Sequence, residues 1–318
     1  MQESFVDLLK SLTNDAEPVA GVRLAELSDL DAQRLEGFAS VWERLPSDRR
    51  QVLLEELGLI ADAQIELSFE AINRLALDDT DSTVRMQAIE NLWECEDPGL
   101  ASAFLVKINE DAAPEVRAAA GKALGVFMLI GEARKLDPGL QHAIEEALLQ
   151  ATRTDSSGEV RDMCLQTLGY SSRPEVTNLI EEAYAAGTEA RLTSALRAMA
   201  HSANPNWGES VMAQLHDSSP RIRLEAVRAA GEIDLREGIP DLIELLDDVD
   251  ESVRRAAVWS LSQIGGPQAT EVLNSMYEET LDEIESELLQ DAIDNLAFVE
   301  GARDLYTFEQ DDPPDLRA

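Results

Sequence analysis

A chain of 318 residues with 44% hydrophobic side chains has the apolar content of a folded protein, which excludes disorder for its body. Its 63 acidic and 26 basic residues leave a formal net charge of −37, which excludes nucleic acid, whose binding rests on neutralising phosphates with Lys and Arg. Anionic membrane surfaces are disfavoured for the same reason, and basic proteins or cations are the natural counterparts.

Taken in chain order, the opening Met1-Gln2-Glu3-Ser4-Phe5 has no basic region followed by an apolar core, so no signal peptide is expected. The stripe Phe5, Leu8, Leu9, Leu12 predicts a short helix in an arm over residues 1–20, capping the open end of a repeat array. A repeat then occupies residues 21–300. Its mark is Val-Arg, a small residue four after the Val, and an apolar residue eight after it. The copies are Val84-Arg85, Ala88, Leu92; Val116-Arg117, Ala120, Leu124; Val160-Arg161, Cys164, Leu168; Ala190-Arg191, Ser194, Ala198; Ile222-Arg223, Ala226, Ala230; and Val253-Arg254, Ala257, Leu261. Arg49-Arg50, Leu53, Leu57 is a worn first copy, and Leu288, Ala292, Leu296 is a last one without its Arg. By residue number the copies start 35, 32, 44, 30, 32, 31 and 35 residues apart, periods that mark helical repeat arrays. Offsets of four and eight share one helical stripe, and the small residue lets a neighbouring helix approach.

Asp79, Asp111, Asp155, Asp217 and Asp248 each stand five residues before the Val position, a helix-start signal. Pro98, Pro138, Pro174, Pro205, Pro240 and Pro267 each precede an apolar-periodic run, as suits a first helical turn. Each unit therefore reads as a first helix from Pro, a short acidic loop, and a second helix from Val-Arg. About eight such hairpins predict an all-α superhelix. The long third interval holds an insertion over 127–139 carrying Arg134 and Lys135, and insertions in arrays often sit on a binding face. From Glu278 to Ala318 there are 14 acids and two Arg, and residues 301–318 read as an acidic disordered tail. Cys95 and Cys164 fall in different repeats, too far apart to bridge, and reduced thiols without a targeting segment point to the cytoplasm.

Asp-x-x-x-x-Val-Arg-x-x-Ala-x-x-x-Leu, with Gly125, Gly169, Gly231 and Gly265 shortly after, resembles the short bacterial HEAT repeat, also called the phycobilisome-lyase-like HEAT repeat. The resemblance covers about four-fifths of the chain and implies a right-handed α-solenoid. It also implies that the Arg85, Arg117, Arg161, Arg191, Arg223, Arg254 series and the Asp79, Asp111, Asp155, Asp217, Asp248 series pair from one repeat to the next. They then form a structural ladder rather than a phosphate site, and the Arg fork suits bridging acceptors on adjacent loops.

No catalytic constellation emerges. Counting from Asp79 or Asp248, the sixth position is Val84 or Val253 where a calcium loop needs Gly; these acidic clusters read as helix caps. The resemblance extends to a di-iron hydroxylase whose ligands are His-Glu pairs, but none of His142, His201 and His216 is followed by Glu. No metal or cofactor is therefore expected. On the second helices, residues three, six, nine and ten after the Val escape the buried stripe by helical spacing. These include Glu90, Trp93, Glu94, Lys122, Gln166, Tyr170, Glu225, Arg228, Glu232, Trp259 and Gln263, with His201 beside them. Aromatics on a polar face are the usual anchors of a protein interface. The expected function is a non-enzymatic, cytoplasmic scaffold that binds a protein, or a basic segment of one, along its concave face. The alternative is a lyase-type enzyme or enzyme subunit acting on a cofactor-bearing partner.

Overall fold

The computed structural model describes residues 3–14, 19, 22–132 and 136–310. The inserted Arg134 and Lys135 and the acidic end 311–318 lie outside the described residues. Among those described there are seventeen α-helices, four short 3-10 turns and no strand, an all-α solenoid of eight hairpins after one leading helix. No helix among them is long and apolar enough to cross a membrane.

The chain forms two compact units, residues 1–167 and 168–318. In the first, α1 (Glu3–Leu12) buries Phe5, Leu8, Leu9 and Leu12. The hairpins follow as α2 (Ala32–Trp42) with α3 (Ser47–Ala63), and α4 (Glu70–Ala76) with α5 (Ser82–Glu90). Next come α6 (Pro98–Glu110) with α7 (Pro114–Glu132), and α8 (Pro138–Thr154) with α9 (Gly158–Leu168). The insertion thus lengthens α7 to 19 residues. The second unit pairs α10 (Pro174–Ala185) with α11 (Glu189–Ser202) and α12 (Gly208–Met212) with α13 (Pro220–Glu232). It ends with α14 (Ile239–Glu244) and α15 (Glu251–Ile264), then α16 (Pro267–Glu279) and α17 (Glu283–Gln310).

Proline opens α6, α8, α10 and α16, where its missing N–H has no helical partner. Pro205 instead opens a 3-10 turn ahead of α12, and Pro240 is the second residue of α14. Pro114 and Pro220 do the same service at the start of second helices. The positions four after each Val are fully buried at Ala88, Ala120, Cys164, Ala226 and Ala257. Cys164 meets Gly121, where an added Cβ would lie 2.9 Å from its Sγ. Burial pushes its thiol up to about 12, so it packs as an inert, neutral group. Cys95 is half-buried, and both cysteines are free.

The acidic loops share one geometry. The leading Asp stands two residues ahead of the capping residue and its Oδ1 accepts that residue's N–H: Asp81 for Asp79, Ala113 for Asp111, Ser157 for Asp155, Ser219 for Asp217, Asp250 for Asp248. Asp81 and Asp250 then cap α5 and α15. Each ladder arginine donates through Nη1 to the carbonyl of its own loop Asp, six residues back, at Arg85, Arg117, Arg161, Arg223 and Arg254. In Arg85, Arg117 and Arg223 the other edge of the fork, Nε and Nη2, grips the Asp of the next loop; Arg161 and Arg254, expected to pair in the same way, make no such bond among the described residues. Arg85 holds Asp111 at 2.8 and 2.7 Å, Arg117 holds Asp155 at 2.7 and 2.8 Å, and Arg223 holds Asp248 at 2.7 Å twice. Arg50 joins Asp79 at 2.9 Å and so serves as the ladder arginine of the worn first copy. In α11 the register is displaced by one. Thr188 is the cap, so Arg191 takes the helical position that Val holds elsewhere and Leu192 takes that of the ladder arginine.

This geometry sets an acid limit on stability. The Arg117 and Arg223 hydrogen bonds hold Asp155 and Asp248 below the ordinary carboxyl value of 3.8. At Asp111 burial acts first, upward, and is outweighed by the Arg85 and Ala113 hydrogen bonds together with the Arg85 and Lys107 charges. A folded value below the unfolded one means the stabilisation is complete above the ordinary value and is lost as pH falls through the lowered one. Urea melts at pH 6 and pH 3 are expected to show a large loss in the wild type and a smaller one in Asp248→Asn. An equal loss in both would remove the ladder from the account.

Candidate protein-interaction surface

The exposed face of the second helices follows from the same periodicity: the stripe of Val, small and Leu positions is buried, and the opposite residues are left to solvent. In the first unit this places Glu90 outward at the end of α5 and Trp93 and Glu94 in the turn just beyond it, with Trp93 56% exposed. Trp93 stands between two depressions. One is a groove of about 690 Å³ whose walls include the apolar Leu57, Ile65, Leu67 and Phe69 and the carboxylates of Asp62, Glu70, Glu90 and Glu94. The other, about 210 Å³, brings in Ala119, Lys122 and Ala123 of α7.

The floor of the larger groove is fixed by side-chain amides. Asn91 donates to the Leu54 carbonyl at 2.8 Å and to Asn73 Oδ1 at 3.0 Å, while Gln87 donates to Asn91 Oδ1 at 3.0 Å. Gly58 leaves room for that amide, since a Cβ there would lie 2.7 Å from Asn91 Oδ1. Apolar walls with four carboxylates at the edge suit an amphipathic cationic segment.

The second unit differs in charge. Tyr170, His201, Glu232 and Gln263 occupy matching positions near the ends of successive second helices. Tyr170 and His201 stack with centroids 4.2 Å apart and planes at 10°. Burial, then the Glu232 carboxylate, raises the Tyr170 phenol above its usual range and keeps it neutral. Glu232 accepts from Gln263 Nε2 at 3.1 Å. The helices approach closely here because Gly231 and Gly169 lack side chains: a Cβ on Gly169 would lie 2.5 Å from the Ala198 carbonyl.

Glu225, expected on the open face, is instead buried, with 3% of its side chain exposed. Arg197 of α11 covers it, donating from Nε and Nη2 to both carboxylate oxygens at 2.7 Å, and Arg228 Nη1 adds a contact at 3.2 Å. Spacing within α13 places Glu225 on a face; it does not reveal that a neighbouring helix closes over it. Arg228, Glu232, Trp259 and Gln263 do come together, joined by Ser252, Arg255, Ala256 and Ser260 around a cleft of about 350 Å³ between α13 and α15. Trp259 is 43% exposed in it. Arg197 and Arg255 escaped the reading of the sequence. Aligning α11 on its Thr188 cap puts Arg197 in the same row as Arg228 and Trp259. Among the described residues no group of three or more His, Cys, Asp or Glu side chains is placed to hold a metal ion.

A family model described as HEAT repeats matches residues 208–294, and no curated protein matches the chain. Among solved structures the chain is similar to the complex of CpcE and CpcF of phycocyanin lyase from Nostoc sp. PCC7120. That likeness has 16% identity, covers 71% of this chain and 94% of that one, and has a TM-score of 0.50. It is also similar to YibA of E. coli, with 17% identity, 76% and 96% coverage and a TM-score of 0.44. A third is human deoxyhypusine hydroxylase, with 15% identity, 93% and 96% coverage and a TM-score of 0.36. At 16% identity the likeness to the lyase complex is one of fold alone.

Proposed function

We propose that this chain, a HEAT-repeat protein, is a non-enzymatic cytoplasmic scaffold that holds a partner protein on the exposed face of its second helices. The observation that carries the reading is the pair of exposed indoles, Trp93 and Trp259, each set beside a cleft on an otherwise polar face. A large aromatic left in water costs solvation that a partner's cover recovers, and such residues dominate interface energetics. In the first unit Asp62, Glu70, Glu90 and Glu94 ring the Trp93 groove, so the segment it takes is basic with apolar side chains. The overall charge of −37 speeds encounter with such a segment.

A labelled peptide alternating Lys or Arg with Leu or Phe is the direct probe. It is expected to bind at low salt, to weaken as salt rises toward 0.5 M, and to lose about tenfold or more in affinity with Trp93→Ala. Binding indifferent to both salt and Trp93→Ala would sink the reading for the first unit. The second reading, a lyase-type enzyme or enzyme subunit acting on a cofactor-bearing partner, draws on the fold shared with the phycocyanin lyase complex. It requires the purified protein to take up a chromophore, which absorbance would detect.

A further inference from the structure

We propose that the cleft between α13 and α15 takes an acidic peptide segment of a partner, with a carboxylate between Arg228 and Arg255 and an adjacent apolar side chain on Trp259. The inference rests on the reading that the second-helix face binds protein, and it names the partner chemistry of one place on that face.

The argument starts from which charges a partner can reach. The chain is strongly acidic, yet the cleft is lined by two arginines and one carboxylate. Arg228 and Arg255 keep 53% and 52% of their side chains exposed. The Glu225 carboxylate beside Arg228 is buried and already taken on both oxygens by Arg197, so Arg228 reaches it only through Nη1 at 3.2 Å. Among the described residues Nε and Nη2 of Arg228 make no protein hydrogen bond and are left to the cleft. Arg255 makes none either, and among the described residues its one ion-pair partner is the exposed Glu251, at 3.7 Å. A pairing that long between exposed groups is worth little and is readily exchanged. Two guanidiniums with unused donors therefore flank one opening, and a guanidinium fork is the matched donor for a carboxylate.

The remaining carboxylate, Glu232, sets the direction. It lies with Gln263, its hydrogen-bond donor. Negative charge is disfavoured at that end and favoured at the Arg228 and Arg255 end, with the Trp259 indole available to an apolar neighbour. The wider acidic field does not overrule this. In physiological salt it is screened beyond about 8 Å, while the two arginines act at contact distance. A long polyanion would have to cross the acidic surface; a short segment with one or two carboxylates does not. The cleft thus has the opposite preference to the Trp93 groove of the first unit.

The test uses the full chain and two labelled peptides, one alternating Asp or Glu with Leu or Phe, the other the basic peptide described above. Fluorescence anisotropy is expected to show the acidic peptide binding the wild type. Arg228→Ala with Arg255→Ala should weaken it by about tenfold or more, on the usual scale for hydrogen bonds to charged groups. Trp259→Ala should weaken it by several-fold, while Trp93→Ala leaves it unchanged. Because these side chains are exposed, helicity and melting temperature serve as a check that the variants fold. The idea is overturned if the acidic peptide does not bind, or binds equally to the double arginine variant. It is also overturned if millimolar inorganic phosphate displaces the peptide, which would assign the cleft to a small anion. Loss of basic-peptide binding alone would count against the first-unit groove and leave this cleft standing. Failure of both peptides would sink the scaffold reading itself.

Discussion

Asp79→Ala is expected to lower the unfolding free energy by about 3–5 kcal/mol, the range for removing one partner from a buried charged pair. The Asp79 side chain is 1% exposed and serves three partners at once. It accepts hydrogen bonds from the Trp42 indole at 2.8 Å and the Asp81 backbone N–H at 2.9 Å, and forms an ion pair with Arg50 Nη1 at 2.9 Å. Arg50 is itself nearly enclosed and lies over the Trp42 ring, 5.8 Å from its centroid. Its Nε already has no hydrogen-bond partner, so the substitution would strand the guanidinium charge as well as an indole N–H. Asp79→Asn keeps one acceptor oxygen and points an amide at the remaining donors, so it is expected to fall between, at about 1–3 kcal/mol. Urea unfolding followed by circular dichroism gives both numbers. A loss below about 1 kcal/mol for the alanine variant would show that water replaces the carboxylate and that this corner is wetter than its burial implies.

The second large effect is an asymmetry within one ion pair. Arg197→Met should destabilise by about 2–3 kcal/mol and Glu225→Gln by about 1 kcal/mol, although both break the same contact. The difference lies in what each substitution leaves behind. Without Arg197, the buried Glu225 carboxylate keeps a single contact of 3.2 Å, to Arg228. Without the carboxylate charge, Arg197 and Arg228 remain 43% and 53% exposed and can turn to water, and the glutamine oxygen still accepts one bond. The values sit below the full range for buried pairs because the arginines are only partly covered. A double-mutant cycle measured in urea separates the pairwise energy from these residues' other contacts. Equal losses would mean that Glu225 reaches solvent.

The repeat was legible because its spacing is enforced by geometry that each copy must satisfy alone. Val84, Ala88 and Leu92 fall on one stripe whatever surrounds them, and their equivalents are buried in copy after copy. The expectation of about eight hairpins met eight among the described residues. Helix ends were less legible: α14 stops at Glu244 and passes into a 3-10 turn over Leu245–Asp247, although the apolar Leu245 and Leu246 carry its pattern on. The surface was legible only in part. Trp93, Glu94, Arg228 and Trp259 are exposed as helical spacing implies. Glu225 is not, because its burial depends on Arg197 in the preceding hairpin, 28 residues away. The Trp42–Asp79 bond, 37 residues apart, leaves no periodic trace at all. Contacts that recur with the repeat can be read from one copy; contacts made once, between side chains of different copies, cannot.

The way each loop aspartate faces two ways has a consequence for how such a chain can change length. Asp79 and Asp111 occupy equivalent turns, one receiving Arg50 and the other receiving Arg85. Excising residues 79–110 as a block would remove α5 and α6, one repeat length, join α4 to α7, and bring Arg50 to Asp111, a partner of the same chemistry in the same turn. Duplicating that block would likewise give Arg85 of the first copy the Asp79 of the second. A cut at the aspartate leaves that fork facing a carboxylate, so the chain can gain or shed length one repeat at a time without a mismatched seam there.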